Sequence, residues 1–221
     1  MDYKRITIIC GHYGSGKTNV AINLAEEIRK AGKKTVIADL DIVNPYFRTK
    51  DSEKELEEAG IRLISSPYAG SNVDLPALPQ EIYAVTDDRT AYAVLDVGGD
   101  ERGALALGRL APLIKDEGDF DMWMVINCYR PLTPDATSTL EVMKEIEEAA
   151  GLPFTGIINN SNLCEDTTPE TVKASAQYAK EFQALTGLPL VLTTVSEEIA
   201  GQMKDMPDIM PIHLQAKPYN M

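Results

Sequence analysis

The sequence predicts an α/β fold: a doubly wound, mostly parallel sheet with helices on both faces, three layers in all. Three observations carry this expectation. Apolar runs alternate with amphipathic stretches almost to the end of the 221 residues. Several runs are apolar throughout, which suits strands covered on both faces. Apolar residues make up 44% and charged residues 25%, enough core to rule out wholesale disorder.

Each element follows from its residues. Strands are expected at 5–10, 35–38, 62–64, 91–96, 122–128, 155–159 and 190–195. A helix at 18–31 places Val20, Leu24, Ile28 and Ala31 on one face and stops at Gly32. A second, at 134–150, takes Thr133 as N-cap and Pro134 as first residue, and stops at Gly151. The third, at 169–185, repeats that grammar with Thr168 and Gly187. The stretch 65–80 breaks the rhythm with Pro67, Gly70, Pro76 and Pro79, and reads as an irregular surface loop or lid. The Met- and Pro-rich tail, 204–221, can add an edge strand or pack on a partner. No repeat or linker divides the chain, so 1–221 reads as one domain.

Composition narrows the function. The formal net charge of -13 argues against nucleic acid as a partner, because phosphate backbones need clustered Lys and Arg. No apolar run is long enough to cross a bilayer, and the chain enters its first strand without a leader, so no membrane is expected and the cytoplasm is. Cys10, Cys128 and Cys164 are far apart, with neither a CxxC pair nor metal-ligand spacing. They read as reduced thiols, with Cys10 and Cys128 at strand ends.

The stretch "GHYGSGKTNV" carries the chemistry. Gly11, Gly16, Lys17 and Thr18 satisfy G-x-x-x-x-G-K-[ST] between an expected strand and an expected helix. Glycines let the backbone curl so that its N–H groups meet phosphate oxygens, and the following helix offers its positive end. The cradle therefore spans Gly11, His12, Tyr13, Gly14, Ser15, Gly16, Lys17, Thr18 and Asn19. Lys17 brings a mobile cation to the β- and γ-phosphates, and the Thr18 hydroxyl suits Mg²⁺. Further acids sit at the carboxyl ends of strands, where open α/β sheets bind ligands. "VIADLDIVNPYFR" supplies Asp39 and Asp41; "AYAVLDVGGDERGA" supplies Asp96, Gly99 and Asp100. Asp96 is the natural outer-sphere partner of Mg²⁺, and Gly99 can offer an unobstructed N–H to a γ-phosphate. Arg48 reads as an exposed arginine at a helix start, with a phosphate or partner contact as the other reading.

Together these segments resemble the MinD/ParA group of P-loop ATPases, related to the nitrogenase iron protein and the Mrp-type metal-cluster carriers. The resemblance runs from Arg5 to about Val195 and rests on the Walker A loop, the "DLD" after the second strand, the DxxG at Asp96–Gly99 and "GIINNSN". It implies a P-loop NTPase fold, ATP and Mg²⁺ as cofactors, and a phosphate loop from Gly11 to Thr18 with Thr18 on the metal. It also implies a water-orienting Asp41 and a place near the metal for Asp39 and Asp96. Lys17, Asp41 and Asp39 are then the catalytic set, and Asn160 contacts adenine, with Asn159 second. The guanine-reading N-K-x-D motif is missing, which favours adenine by elimination. The group's deviant loop carries an early lysine that reaches a partner's phosphates; here those positions hold His12 and Tyr13. His12 is easily charged near neutral pH and can serve as a part-time cation.

The resulting expectation is a slow ATPase, with no arginine finger identifiable by motif. It would bind ATP and ADP and act as a switch for a protein partner, with a nucleotide-dependent homodimer left open. Two other readings stand beside it: an ATP-dependent kinase or ligase of the dethiobiotin synthetase kind, and a non-hydrolysing nucleotide sensor.

Overall fold

The computed structural model describes residues 2–41, 48–65, 80–99 and 101–215. The expected loop at 65–80, apart from its two ends, lies outside these residues. So do 44–47, Asp100 and the last six positions of the tail.

Strand β1 (Ile6–Cys10) leads through the glycine loop into helix α1 (Lys17–Lys30) and strand β2 (Thr35–Leu40). A 3₁₀ turn at Thr49–Ser52 runs into α2 (Glu53–Glu58) and β3 (Arg62–Ile64). Another, at Gln80–Tyr83, precedes α3 (Ala84–Asp87) and β4 (Tyr92–Val97). Helices α4 (Glu101–Gly108) and α5 (Ala111–Glu117) connect to β5 (Phe120–Ile126). The chain continues as α6 (Ala136–Ala150), β6 (Gly156–Asn159), α7 (Pro169–Thr186), β7 (Leu190–Ser196), α8 (Glu197–Ala200) and β8 (Ile209–Ile212). The strands form one sheet in the order β3-β2-β4-β1-β5-β6-β7-β8. Every neighbouring pair is parallel. From β1 the chain passes out to β2 and β3, returns to place β4 beside β1, and then winds outward through β5 to β8 on the other side, so the glycine loop lies where the direction of winding reverses.

Strand parity sorts the core into two layers. Ile6, Ile8 and Cys10 of β1 join Leu95, Met124 and Ile157 on one face, against Leu107, Ile146 and Phe182 of α4, α6 and α7. Ile9, Ile37, Val94, Val125 and Ile158 face the other way, against Val20, Leu24 and Ile28 of α1 and Leu56 of α2. Both faces are covered by helices, as the continuous apolar runs require. None of the described helices is long and apolar enough to cross a membrane.

The structure corrects several expectations. Helix α6 is capped by Asp135, whose Oδ1 accepts from the Ser138 N–H at 2.9 Å. The expected cap, Thr133, instead donates its hydroxyl to the Asn127 carbonyl at 2.9 Å, and Pro134 stays outside the helix. That same carbonyl accepts the Arg130 N–H, and Asn127 Oδ1 accepts the Tyr129 N–H. This turn ends β5 at Ile126 and leaves Cys128 half-buried beyond the strand. Helices α4 and α5 escape sequence reading because Gly103, Gly108 and Pro112 interrupt their periodicity. Gly103 is needed for packing: a Cβ there would stand 2.5 Å from Gly98 Cα. The tail does add an edge strand, β8, beside β7.

Phe182 and Leu185 share α7, yet only Phe182 is buried. Replacing Phe182 with Ala is expected to cost about 3–5 kcal/mol in denaturant unfolding. Leu185→Ala should stay within about 0.5 kcal/mol of the parent, and equal losses would contradict this packing.

Candidate nucleotide-binding site

The loop after β1 is shaped by glycine and held from outside. Gly14 and Gly16 take left-handed backbone at φ 77° and 85°. At Gly16 a Cβ would also fall 2.2 Å from Asn160 Nδ2. Two consecutive carbonyls are drawn outward by side chains: Gly14 O accepts from Arg130 Nε and Ser15 O from Asn160 Nδ2, each at 2.7 Å. Turning these carbonyls out favours N–H groups turned in, the arrangement that binds anions. No side chain caps α1, and its first turn carries no acid, so the helix start is left for an anionic ligand. Ser15 Oγ is buried here without a hydrogen-bond partner.

Parallel register brings the acids together. Asp39 of β2 pairs directly with Asp96 of β4, both on the α1 face of the sheet. Asp96 is fully buried and its Oδ2 accepts from the Thr49 hydroxyl at 2.8 Å. Asp39 Oδ1 accepts from the Asp41 N–H at 3.0 Å. The remaining oxygens, Asp39 Oδ2 and Asp96 Oδ1, are buried without partners. Lys17 is buried as well, with Nζ 4.0 Å from Asp41 Oδ2. Burial pushes the Asp39 carboxyl well above the usual carboxylate range, and the negative charge of Asp96 adds to this. Asp96 is raised less: burial is offset by the Lys17 ammonium and by the Thr18 and Thr49 hydroxyls beside it. Two unpartnered carboxylate oxygens beside the Thr18 hydroxyl make an all-oxygen donor set, the chemistry a hard cation such as Mg²⁺ selects.

His12 turns its ring onto its neighbour's backbone, with Nδ1 2.9 Å from Tyr13 O. Tyr13 is exposed, and Gly99 packs beneath it so closely that a Cβ would sit 2.5 Å from Tyr13 N. The Asn160 side chain also accepts from the Thr194 hydroxyl at 2.5 Å. By valence, its amide then keeps one N–H and one lone pair for a ligand. Asn159 instead donates to Ser175 Oγ at 2.9 Å. Asn19 Oδ1 accepts from the Gln215 N–H at 2.9 Å.

Several site residues had no sequence signal. Thr49 and Arg130 reach the loop and the acids from distant elements. Arg48, expected to be exposed, is 6% exposed, and its charge draws the Asp39 pKa down. A strap after β8 crosses α1: His213 exchanges two hydrogen bonds with the Asn23 side chain. Gln215 Nε2 then donates to Arg48 O and Ser52 Oγ, each at 2.9 Å.

The raised carboxyls make a stability prediction. A carboxyl whose pKa is raised by folding contributes fully at acid pH, and that contribution is lost as pH climbs toward neutrality and beyond. Without nucleotide or divalent cation, Asp39→Asn should therefore stabilise the protein by more than about 1 kcal/mol near pH 8. The gain should shrink toward about pH 5, where the parent carboxyl holds its proton. Thermal melts across that range check it; a gain independent of pH would contradict the placement.

The chain is also similar to known proteins. Residues 6–204 match the CobQ/CobB/MinD/ParA nucleotide binding domain. The cytosolic Fe-S cluster assembly factor cfd1 of Emericella nidulans is 30% identical over 127 residues, 53% of this chain and 36% of that protein. The chain thus spans about a third of that relative's length. Among solved structures, cell division protein FtsY of Thermotoga maritima superposes with a TM-score of 0.58 at 20% identity, covering 87% of this chain and 62% of that one. The signal recognition particle 54 kDa protein of Aeropyrum pernix, in complex with GDP, gives 0.56 at 16% identity, covering 87% and 41%. These structures share the fold. With its glycine loop, paired strand-end acids and matched length, the chain belongs to the CobQ/CobB/MinD/ParA nucleotide-binding domain family.

Proposed function

We propose that the chain is a Mg-ATP-dependent ATPase of the MinD/ParA-like class, hydrolysing slowly as a conformational switch for a protein partner. One observation carries the reading: a buried lysine at an uncapped helix start stands beside two buried carboxylates with unpartnered oxygens. A triphosphate with its cation completes both halves of that site. Thr18, Asp39 and Asp96 are the residues that would hold Mg²⁺. When bound, the ion offsets the combined negative charge of carboxylates and phosphates.

The chain's own groups supply the rest. Backbone N–H groups from Gly14 to Thr18 bind phosphate oxygens, and Lys17 exchanges Asp41 for the β- and γ-phosphates. Relieved of that ammonium, Asp41 orients a water and accepts its proton. Asn160 offers its spare amide valence to the base, and adenine is favoured because the guanine-reading motif is missing. Thr49 on Asp96 and Arg48 beside Asp39 tie the segment 48–52 to the site. That segment can thereby pass the nucleotide state to a partner, or to a second copy of the chain.

Calorimetric titration with Mg-ATP and ADP release under saturating ATP test this reading. Lys17→Ala should weaken binding by roughly thirtyfold or more. Asp41→Asn should keep affinity within about threefold and lower turnover by about a hundredfold. Full affinity without Lys17, or full turnover without Asp41, would overturn it.

A further inference from the structure

Arg130 comes to the glycine loop from 116 residues away. The turn that carries it is rigid. Arg130 N donates to Asn127 O at 3.3 Å, and Thr133 N donates to Arg130 O at 3.1 Å. Asn127 is itself fully buried, and Pro131 fixes the next φ. The side chain lies flat along the loop: Cδ and Nε are each 3.7 Å from where a Gly14 Cβ would stand. Nε is spent on Gly14 O, while among the described residues Nη2 meets the soft acceptor Cys164 Sγ, at 3.7 Å. A guanidinium has five N–H donors in a fixed fork, and among the described residues Gly14 O is the one strong acceptor it meets.

The loop also needs that charge. Position 12, where the resembling group has its early lysine, holds a histidine turned onto the Tyr13 carbonyl. Lys17 already faces Asp41, with Asp39 and Asp96 behind it. A terminal phosphate entering here meets three carboxylates against Lys17 and the buried Arg48 beside Asp39.

We propose that Arg130 is a phosphate-contacting residue. Anchored through Nε to Gly14 O, its guanidinium supplies in cis, at the terminal phosphate, the positive charge that the early lysine supplies elsewhere. A planar fork suits two phosphate oxygens at once. This rests on the function proposed above and adds which residue separates triphosphate from diphosphate.

The test compares calorimetric affinities for Mg-ADP and Mg-AMP-PNP in the parent, Arg130→Gln and Arg130→Lys. The Gln variant should lose about tenfold or more for AMP-PNP and less than about threefold for ADP. The Lys variant, which keeps charge but not the fork, should recover part of the AMP-PNP loss. Equal losses for both nucleotides would reduce Arg130 to a clamp on the loop and overturn the proposal, as would no loss at all. Should the Gln variant fail to fold, the Lys variant decides on the same ratio: a selective AMP-PNP loss supports the proposal, an even one defeats it. A parent protein that binds neither nucleotide would defeat the function reading instead, which keeps the two failures apart.

Discussion

Three carboxylates buried in one crevice beside a single buried ammonium set the terms for the rest of the molecule. Asp39 and Asp96 are forced side by side by parallel register, and Asp41 follows two residues on. Like charges at this spacing, removed from water, resist ionisation. The surroundings answer with every available positive or donating group: Lys17 from α1, Thr49 from the turn before α2, and Arg48 beside it. Such a site is incomplete by electrostatics alone. That imbalance is what supports the metal–nucleotide reading proposed above.

A second constraint lies behind the loop. The carboxyl ends of β5, β6 and β7 carry asparagines and threonines where an ordinary sheet end would thin into solvent. Asn127, Asn160, Asn162 and Thr194 bond to one another's segments and to Ser15 O. Buried polar networks of this sort are costly when half-satisfied and stiff when complete. Here they brace the loop's backbone from within the chain, which lowers the ordering cost of binding.

Legibility in the sequence tracked the distance over which each contact acts. The glycine loop was readable because its geometry is set by eight adjacent residues, and Asp96 because a strand end predicts its place. Continuous apolar runs disclosed a sheet covered twice, and the parity of Ile8 against Ile9 bears that out. What stayed hidden depends on long-range contact. Arg130 reaches Gly14 and Gln215 reaches Arg48 across separations that no local pattern encodes. Arg48 looked like a surface residue because nothing nearby in sequence says that a buried carboxylate awaits it. Glycines in α4 were misleading for a different reason: they exist for close backbone packing, and they erase the periodicity that would have announced the helix.

The strap after β8 has a consequence for biogenesis. Residues 213–215 fasten onto Asn19 and Asn23 of α1 and onto the turn at 48–52, between 163 and 196 residues earlier in the chain. A ribosome delivers those early segments first and the fastening last. These three contacts therefore close only once the strap itself has been synthesised.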